Sequence, residues 1–306
     1  MTETTTEVSF ESAGVTCRGT HVRATSDALR GPGGTPIAVM AHGLGGTVDS
    51  GLLPFADGLA AAGLDVLAFD YRGFGRSEGE PRQTVSVAGQ VADFRAAVRC
   101  AAGLPGVDPG RAALWGVSLA GGHVFEVAAD RTDIAAVVSL TPIVSGAAAG
   151  RLAMKHHRPT DIARSTVAGL RSKLRGPVMM PIVGRPGELA ALALDGHYED
   201  YLTIAGPSWC NEIDATVGME LGAMRSAAAA SRITAPMLVQ IADFDRSAPP
   251  YAALKAAVKA RAEVRHYPCD HFDVWPGKER FDLVVAHQAA FLSRVLAPAE
   301  RVSDVG

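Results

Sequence analysis

A serine, an aspartate and a histidine stand in this chain where local pattern marks them for nucleophilic acyl chemistry. A serine hydroxyl is a weak nucleophile at its own pKa, so it needs a base, and the base needs an orienting acid. The serine is Ser118. Its surroundings read Gly116-Val117-Ser118-Leu119-Ala120-Gly121-Gly122, after the apolar run 112–115 and before a helical pattern. A serine on a tight strand-to-helix turn has its hydroxyl pushed out above the sheet. The residues two places to either side must be small, because the backbone folds back against them. Gly116 and Ala120 meet that demand, with alanine where glycine is usual. The start of the following helix adds free N–H groups and a positive dipole end.

The base and acid are sought at the ends of later strands, in the chain order serine, aspartate, histidine. The apolar run 237–241 leads into Ala242-Asp243-Phe244-Asp245-Arg246-Ser247-Ala248-Pro249. Asp245 is the better placed acid, since Asp243 nearly belongs to the strand and serves the turn itself. After the last apolar strand comes Tyr267-Pro268-Cys269-Asp270-His271-Phe272-Asp273, and His271 is the expected base. His266 lies inside that strand, and His156, His157 and His197 fall outside the required order. Cys269 lacks a turn that would present it as a nucleophile.

Acyl transfer also needs donors aimed at the oxygen that becomes negative. One is the N–H of Leu119, just after the serine. The other comes from the glycine-rich loop Ala41-His42-Gly43-Leu44-Gly45-Gly46 that follows the run 37–40, with Leu44 as the candidate. His42 is read as structural, holding loop backbone. This loop lacks the spacing and lysine of a P-loop and the final glycine of a dinucleotide fingerprint, so no nucleotide cofactor is expected.

These residues require a particular scaffold. Apolar runs at 37–40, 66–69, 112–115, 135–140, 237–241 and 262–267 alternate with helix-like stretches near 52–62, 86–102, 119–129, 251–260 and 279–295. That rhythm predicts an α/β fold, a mainly parallel sheet with helices on both faces. Residues 7–24 alternate apolar and polar, which predicts an antiparallel hairpin at the sheet edge. The rhythm stops over 145–231, where no strand is evident. A structureless loop of that length is improbable in a compact domain. The expected organisation is therefore a core over 1–144 and 232–306, with 145–231 inserted as a mostly helical lid. Its apolar residues, Trp209, Met179 and Met180 among them, are candidates for binding substrate.

The 306 residues are 48% hydrophobic and 20% charged, with a formal net charge of -3 and no run of like charge. A packed globular chain follows, with no nucleic acid as partner, because phosphate binding needs clustered Lys and Arg. The N-terminus carries acids and hydroxyls instead of a basic then apolar segment, so it does not read as a signal peptide. No stretch reads as a membrane span. Cys17, Cys100, Cys210 and Cys269 show no paired metal-ligand spacing. Reduced thiols of a cytoplasmic protein are expected, with no metal. Nothing in the chain excludes a homodimer.

Over nearly its whole length the chain resembles the α/β-hydrolase superfamily. Asp70-Tyr71-Arg72-Gly73-Phe74-Gly75-Arg76-Ser77 is similar to that family's Asp-x-Arg-Gly-x-Gly-x-Ser stretch. His42-Gly43 resembles its oxyanion loop, 116–121 its nucleophile elbow and 242–249 its acid turn, with Ala242 and Ala248 as departures. Gly121-Gly122-His123 and His271-Phe272-Asp273-Val274 resemble the dienelactone hydrolase and prolyl-oligopeptidase-like esterase branch. The resemblance implies a cofactor-free serine hydrolase that works through an acyl-enzyme, and the apolar residues of 145–231 point to a hydrophobic small-molecule ester or thioester as substrate. Peptide or amide hydrolysis is the second reading, and non-hydrolytic acyl transfer in natural-product assembly the third. Fold resemblance does not name a substrate.

Overall fold

The computed structural model describes residues 5–298. Residues 1–4, part of the N-terminal segment read above, lie outside the described residues. Ten strands occur among them. β1 (Thr5–Ser12) and β2 (Val15–Val22) form an antiparallel hairpin. β3 (Thr35–Ala41), β4 (Asp65–Phe69), β5 (Val107–Val117) and β6 (Ala136–Leu140) follow, then β9 (Met237–Ala242) and β10 (Glu263–Tyr267). Together they make one sheet of order β1-β2-β4-β3-β5-β6-β9-β10, parallel from β4 onward. β3, β4, β6 and β9 are buried along their whole length, as strands covered on both faces must be.

The helices that cover the sheet are α1 (Leu53–Ala61), α2 (Val87–Ala102), α3 (Leu119–Ala128), α8 (Pro250–Ala260) and α9 (Phe281–Val295). Their bounds lie within two residues of the helical stretches read from sequence. No helix among the described residues is long and apolar enough to cross a membrane.

Between β6 and β9 the chain forms α4 (Gly146–His156), α5 (Pro159–Arg175), α6 (His197–Ile204) and α7 (Val217–Ala223). It also forms a short antiparallel ribbon, β7 (Met179–Met180) with β8 (Ile213–Asp214). The expectation of no strand in this interval is corrected by that ribbon. Two-residue strands have no alternation to detect. Asp214 holds the ribbon to α5, accepting from Ser172 Oγ at 2.6 Å and from the Val178 N–H at 3.1 Å. The interval docks on the loop after β3. Asp49 accepts from the Ser208 N–H at 2.9 Å and its hydroxyl at 2.7 Å. The Tyr201 hydroxyl donates to the Leu44 carbonyl at 3.1 Å.

Candidate active site

Ser118 sits between β5 and α3 with φ 56° and ψ −113°, a backbone conformation that L-residues avoid. Three backbone hydrogen bonds hold it there. Its N–H donates to the Leu140 carbonyl at 2.8 Å, and its own carbonyl accepts from Ile143 at 2.9 Å and Gly122 at 3.2 Å. The turn is so tight that a Cβ on Gly116 would stand 2.3 Å from the Ala120 carbonyl oxygen. Gly116→Ala is therefore expected to lower stability by about 1–3 kcal/mol, the usual cost of forcing extra volume into a packed region. Chemical denaturation measures it, and an unchanged midpoint would contradict this account of the elbow.

His271 and Asp245 meet across 26 residues of chain. The Nδ1–H of His271 donates to Asp245 Oδ2 at 2.6 Å, and both side chains are buried. The other carboxylate oxygen of Asp245 accepts from the N–H groups of Ser247 at 2.7 Å and Ala248 at 2.6 Å. The carboxylate is thus fixed in orientation by its own turn. Burial pulls the His271 pKa down, but the charge and hydrogen bond of Asp245, with Asp270 behind, outweigh it and leave the pKa raised.

Asp270 ties the two loops together. It accepts from the backbone N–H of Arg246 at 2.9 Å and of His271 at 2.8 Å, and pairs with the Arg246 guanidinium at 2.5 Å. Burial alone would raise Asp270. The His197 ring, 3.9 Å from its carboxylate, and the hydrogen bonds from Arg246 and His271 hold it well below the usual carboxylate range. Sequence reasoning gave this residue no role, though its place beside His271 was visible.

Ser118 and His271 line one cavity of about 230 Å³. No hydrogen bond joins them among the described residues; the histidine's own bonds go to Asp245 and Asp270. Catalytic hydrogen bonds commonly tighten only in the reacting complex. Leu44 lines the same cavity. A Cβ on its neighbour Gly43 would stand 2.8 Å from Ser118 Cβ, so this loop runs directly over the serine. Asp70 holds the loop, accepting from the Val48 N–H at 2.7 Å and the Arg76 N–H at 3.0 Å. Leu119 is the first residue of α3, so its N–H is among the amide donors a helix leaves without an internal acceptor.

The cavity wall is mostly apolar, with Ile143, Leu192, Leu221, Phe272 and Trp275, and it contains no Asp or Glu. Trp209, Met179 and Met180 are not part of it, which corrects their assignment as substrate-binding residues. Met180 is buried in the inserted segment and Met179 is exposed, as the two faces of one strand require. Trp209 stacks on Tyr201 at 5.0 Å between ring centroids, and Tyr201 is the ring that reaches the cavity. The wall that sequence reasoning missed includes Gly146, Ala149, Gly150 and Ala153 on α4. Their spacing of three and four is a small-residue helix face, and that was the available signal.

The other candidates fall elsewhere. His42 Nε2 bonds the Ser50 carbonyl at 2.8 Å, its ring stacks on Trp275, and burial pushes its pKa down to about 4. His123 is buried against Gln90. His266 pairs with Asp243 in an exposed position. Burial, with Asp273 adding to it, pushes the Cys269 thiol up to about 12, which leaves it unreactive. His157, set aside by chain order, does line the cavity.

The family model described as serine aminopeptidase, S33, matches residues 34–269. The quorum-quenching protein AidA of Acinetobacter baumannii is 35% identical over 298 residues, covering 95% of each chain. The thiohydrolase aneE of Aspergillus aculeatus is 31% identical over 157 residues, 50% of this chain and 49% of its own. Among solved structures, the α/β hydrolase GrgF from Penicillium sp. sh18 superimposes with a TM-score of 0.75 at 22% identity. That likeness of fold covers 95% of this chain and 99% of GrgF.

Proposed function

The chain belongs to the serine aminopeptidase S33 family of α/β hydrolases, and from that membership we propose that it hydrolyses carboxylic esters or thioesters of hydrophobic small molecules. The observation that carries the reading is the convergence of Ser118 and the His271–Asp245 pair on one apolar cavity. Ser118 Oγ attacks the acyl carbon while His271 Nε2 takes its proton. The N–H groups of Leu119 and Leu44 hold the oxyanion. His271 then returns the proton to the leaving alcohol or thiol, and Ser118 keeps the acyl group. Water, deprotonated by His271, attacks the acyl-enzyme and releases the acid. Asp245 keeps Nδ1 protonated throughout and stabilises the imidazolium.

The family's name raises aminopeptidase activity as an alternative. A free amine held in the cavity would need a carboxylate beside it, and the wall has none. Ester or thioester substrates fit this wall better. The thiohydrolase name of a relative is in keeping with the thioester half of the proposal.

A fluorophosphonate probe, which reacts with activated serines, tests the reading. Ser118 takes the label, and the labelling rate depends on neutral His271. Its pKa is raised above the ordinary histidine value, so labelling slows as pH falls through that raised pKa. Folded protein that takes no label at any pH would reject the proposal.

A further inference from the structure

The cavity beside Ser118 has a neighbour. A second cavity of about 390 Å³ lies behind it, between α5 and the segment 186–193. Four residues, Ala153, His157, Ala191 and Gly218, line both cavities. Three of them carry no side chain beyond Cβ, so the partition is thin and His157 is its one large group. The inner volume alone lies below the roughly 300–1,000 Å³ typical of small-molecule sites, and the outer chamber brings the pair into that range.

The two walls differ in chemistry. The inner one is largely aliphatic and aromatic. The outer one sets Ile162, Leu189 and Met219 beside Asp161, Ser165 and Glu188. We propose that the outer chamber is a second subsite, which receives the distal part of a long acyl chain bearing hydroxyl, keto or amide groups, with Ala153, His157, Ala191 and Gly218 as its threshold. This rests on the reading of Ser118 as the acyl acceptor.

The acyl chain, and not the leaving group, is assigned to this path by the proton. His271 must hand its proton to the leaving atom, so the leaving group lies on the side of His271. Arg246 and Ser247, next to Asp245, line the cavity there. The acyl chain extends the other way, toward α4 and α7. An unsubstituted alkyl end would strip water from half-buried Ser165 and Asp161 without replacing its hydrogen bonds, which is costly. A chain with polar groups at its far end replaces them. Burial, with His156 and His197 nearby, holds the His157 pKa below the ordinary value although Asp161 acts against it. The threshold is therefore uncharged at neutral pH, and the aliphatic middle of the chain can cross it.

Gly218 offers a clean test. A Cβ there would meet nothing within 4 Å, and its φ is not positive. Gly218→Leu thus suits the helix α7 and fills the threshold. Ile162→Trp fills the outer chamber alone. The measurement is kcat/KM for p-nitrophenyl butanoate, dodecanoate and ω-hydroxydodecanoate. Wild type is expected to prefer the hydroxylated long chain to the plain one. Both variants are expected to lower the long-to-short ratio by about tenfold or more, as steric exclusion of a chain from a fitted pocket does. A ratio unchanged in both variants, in an enzyme that still hydrolyses the butanoate, would overturn the subsite alone. So would an effect that follows the length of the leaving group at constant butanoyl chain. Wild type that hydrolyses none of the esters and takes no serine probe would overturn the triad reading, and the subsite with it.

Discussion

Ser118→Ala is expected to lower kcat for ester hydrolysis by about a millionfold, the scale on which losing the nucleophile of such a triad is felt. Alanine keeps the Cβ, and the elbow is held by backbone bonds to Leu140, Ile143 and Gly122. The fold therefore survives, and the loss is one of chemistry. The proposed oxyanion donors and the cavity remain, so a small rate above that in water is expected to persist. Purified variant and wild type compared on p-nitrophenyl butanoate, with matched thermal unfolding, make the measurement. A variant that retains more than a trace of the wild-type rate would remove Ser118 from the mechanism and return His271 and Asp245 to the status of a buried pair.

The second large effect belongs to Asp245→Asn, expected to reduce kcat by about ten-thousandfold at neutral pH. Asparagine fits the same space, and its carbonyl oxygen can still accept from Ser247 and Ala248. Those two bonds turn its NH2 group toward His271 Nδ1. The ring must then accept at Nδ1, so its proton sits on Nε2, the nitrogen that has to receive the serine proton. Loss of the carboxylate charge also removes the chief influence that raises the His271 pKa, while burial still lowers it. Whatever activity remains should show its acid limb at lower pH than wild type. A rate within about tenfold of wild type would exceed what the wrong tautomer allows, and it would exclude Asp245 as the orienting acid.

The effects differ because the groups act at different removes from the reacting bond. In the proposed mechanism Ser118 forms that bond, and Asp245 acts only through the imidazole. Asp270 stands one step further out. It joins the backbone of both loops and adds its charge behind His271. Arg246 is held by Asp270, so the one guanidinium in the cavity wall is already partly neutralised.

Features with local causes could be read from the chain itself. The alternation of apolar runs and helical stretches specified a parallel sheet covered on both faces, because a strand buried twice must be apolar throughout. The Gly116–Ala120 spacing specified a tight turn, because only small residues permit the backbone to fold back there. The loops bearing Asp245 and His271 were legible as strand ends. Other features depend on how distant segments pack, and these were not legible. The 2.6 Å contact between His271 and Asp245 depends on β9 and β10 lying side by side in register. The bridging role of Asp270 arises only once both loops are placed. Residue type alone could not tell whether Met179, Met180 and Trp209 formed cavity wall or internal packing, since either use is apolar. Tertiary structure decided it, by spending them on a two-residue ribbon and a ring stack. The small face of α4 and Gly218 of α7 went to the cavity instead, because enclosing open space next to Ser118 requires side chains that leave it unfilled.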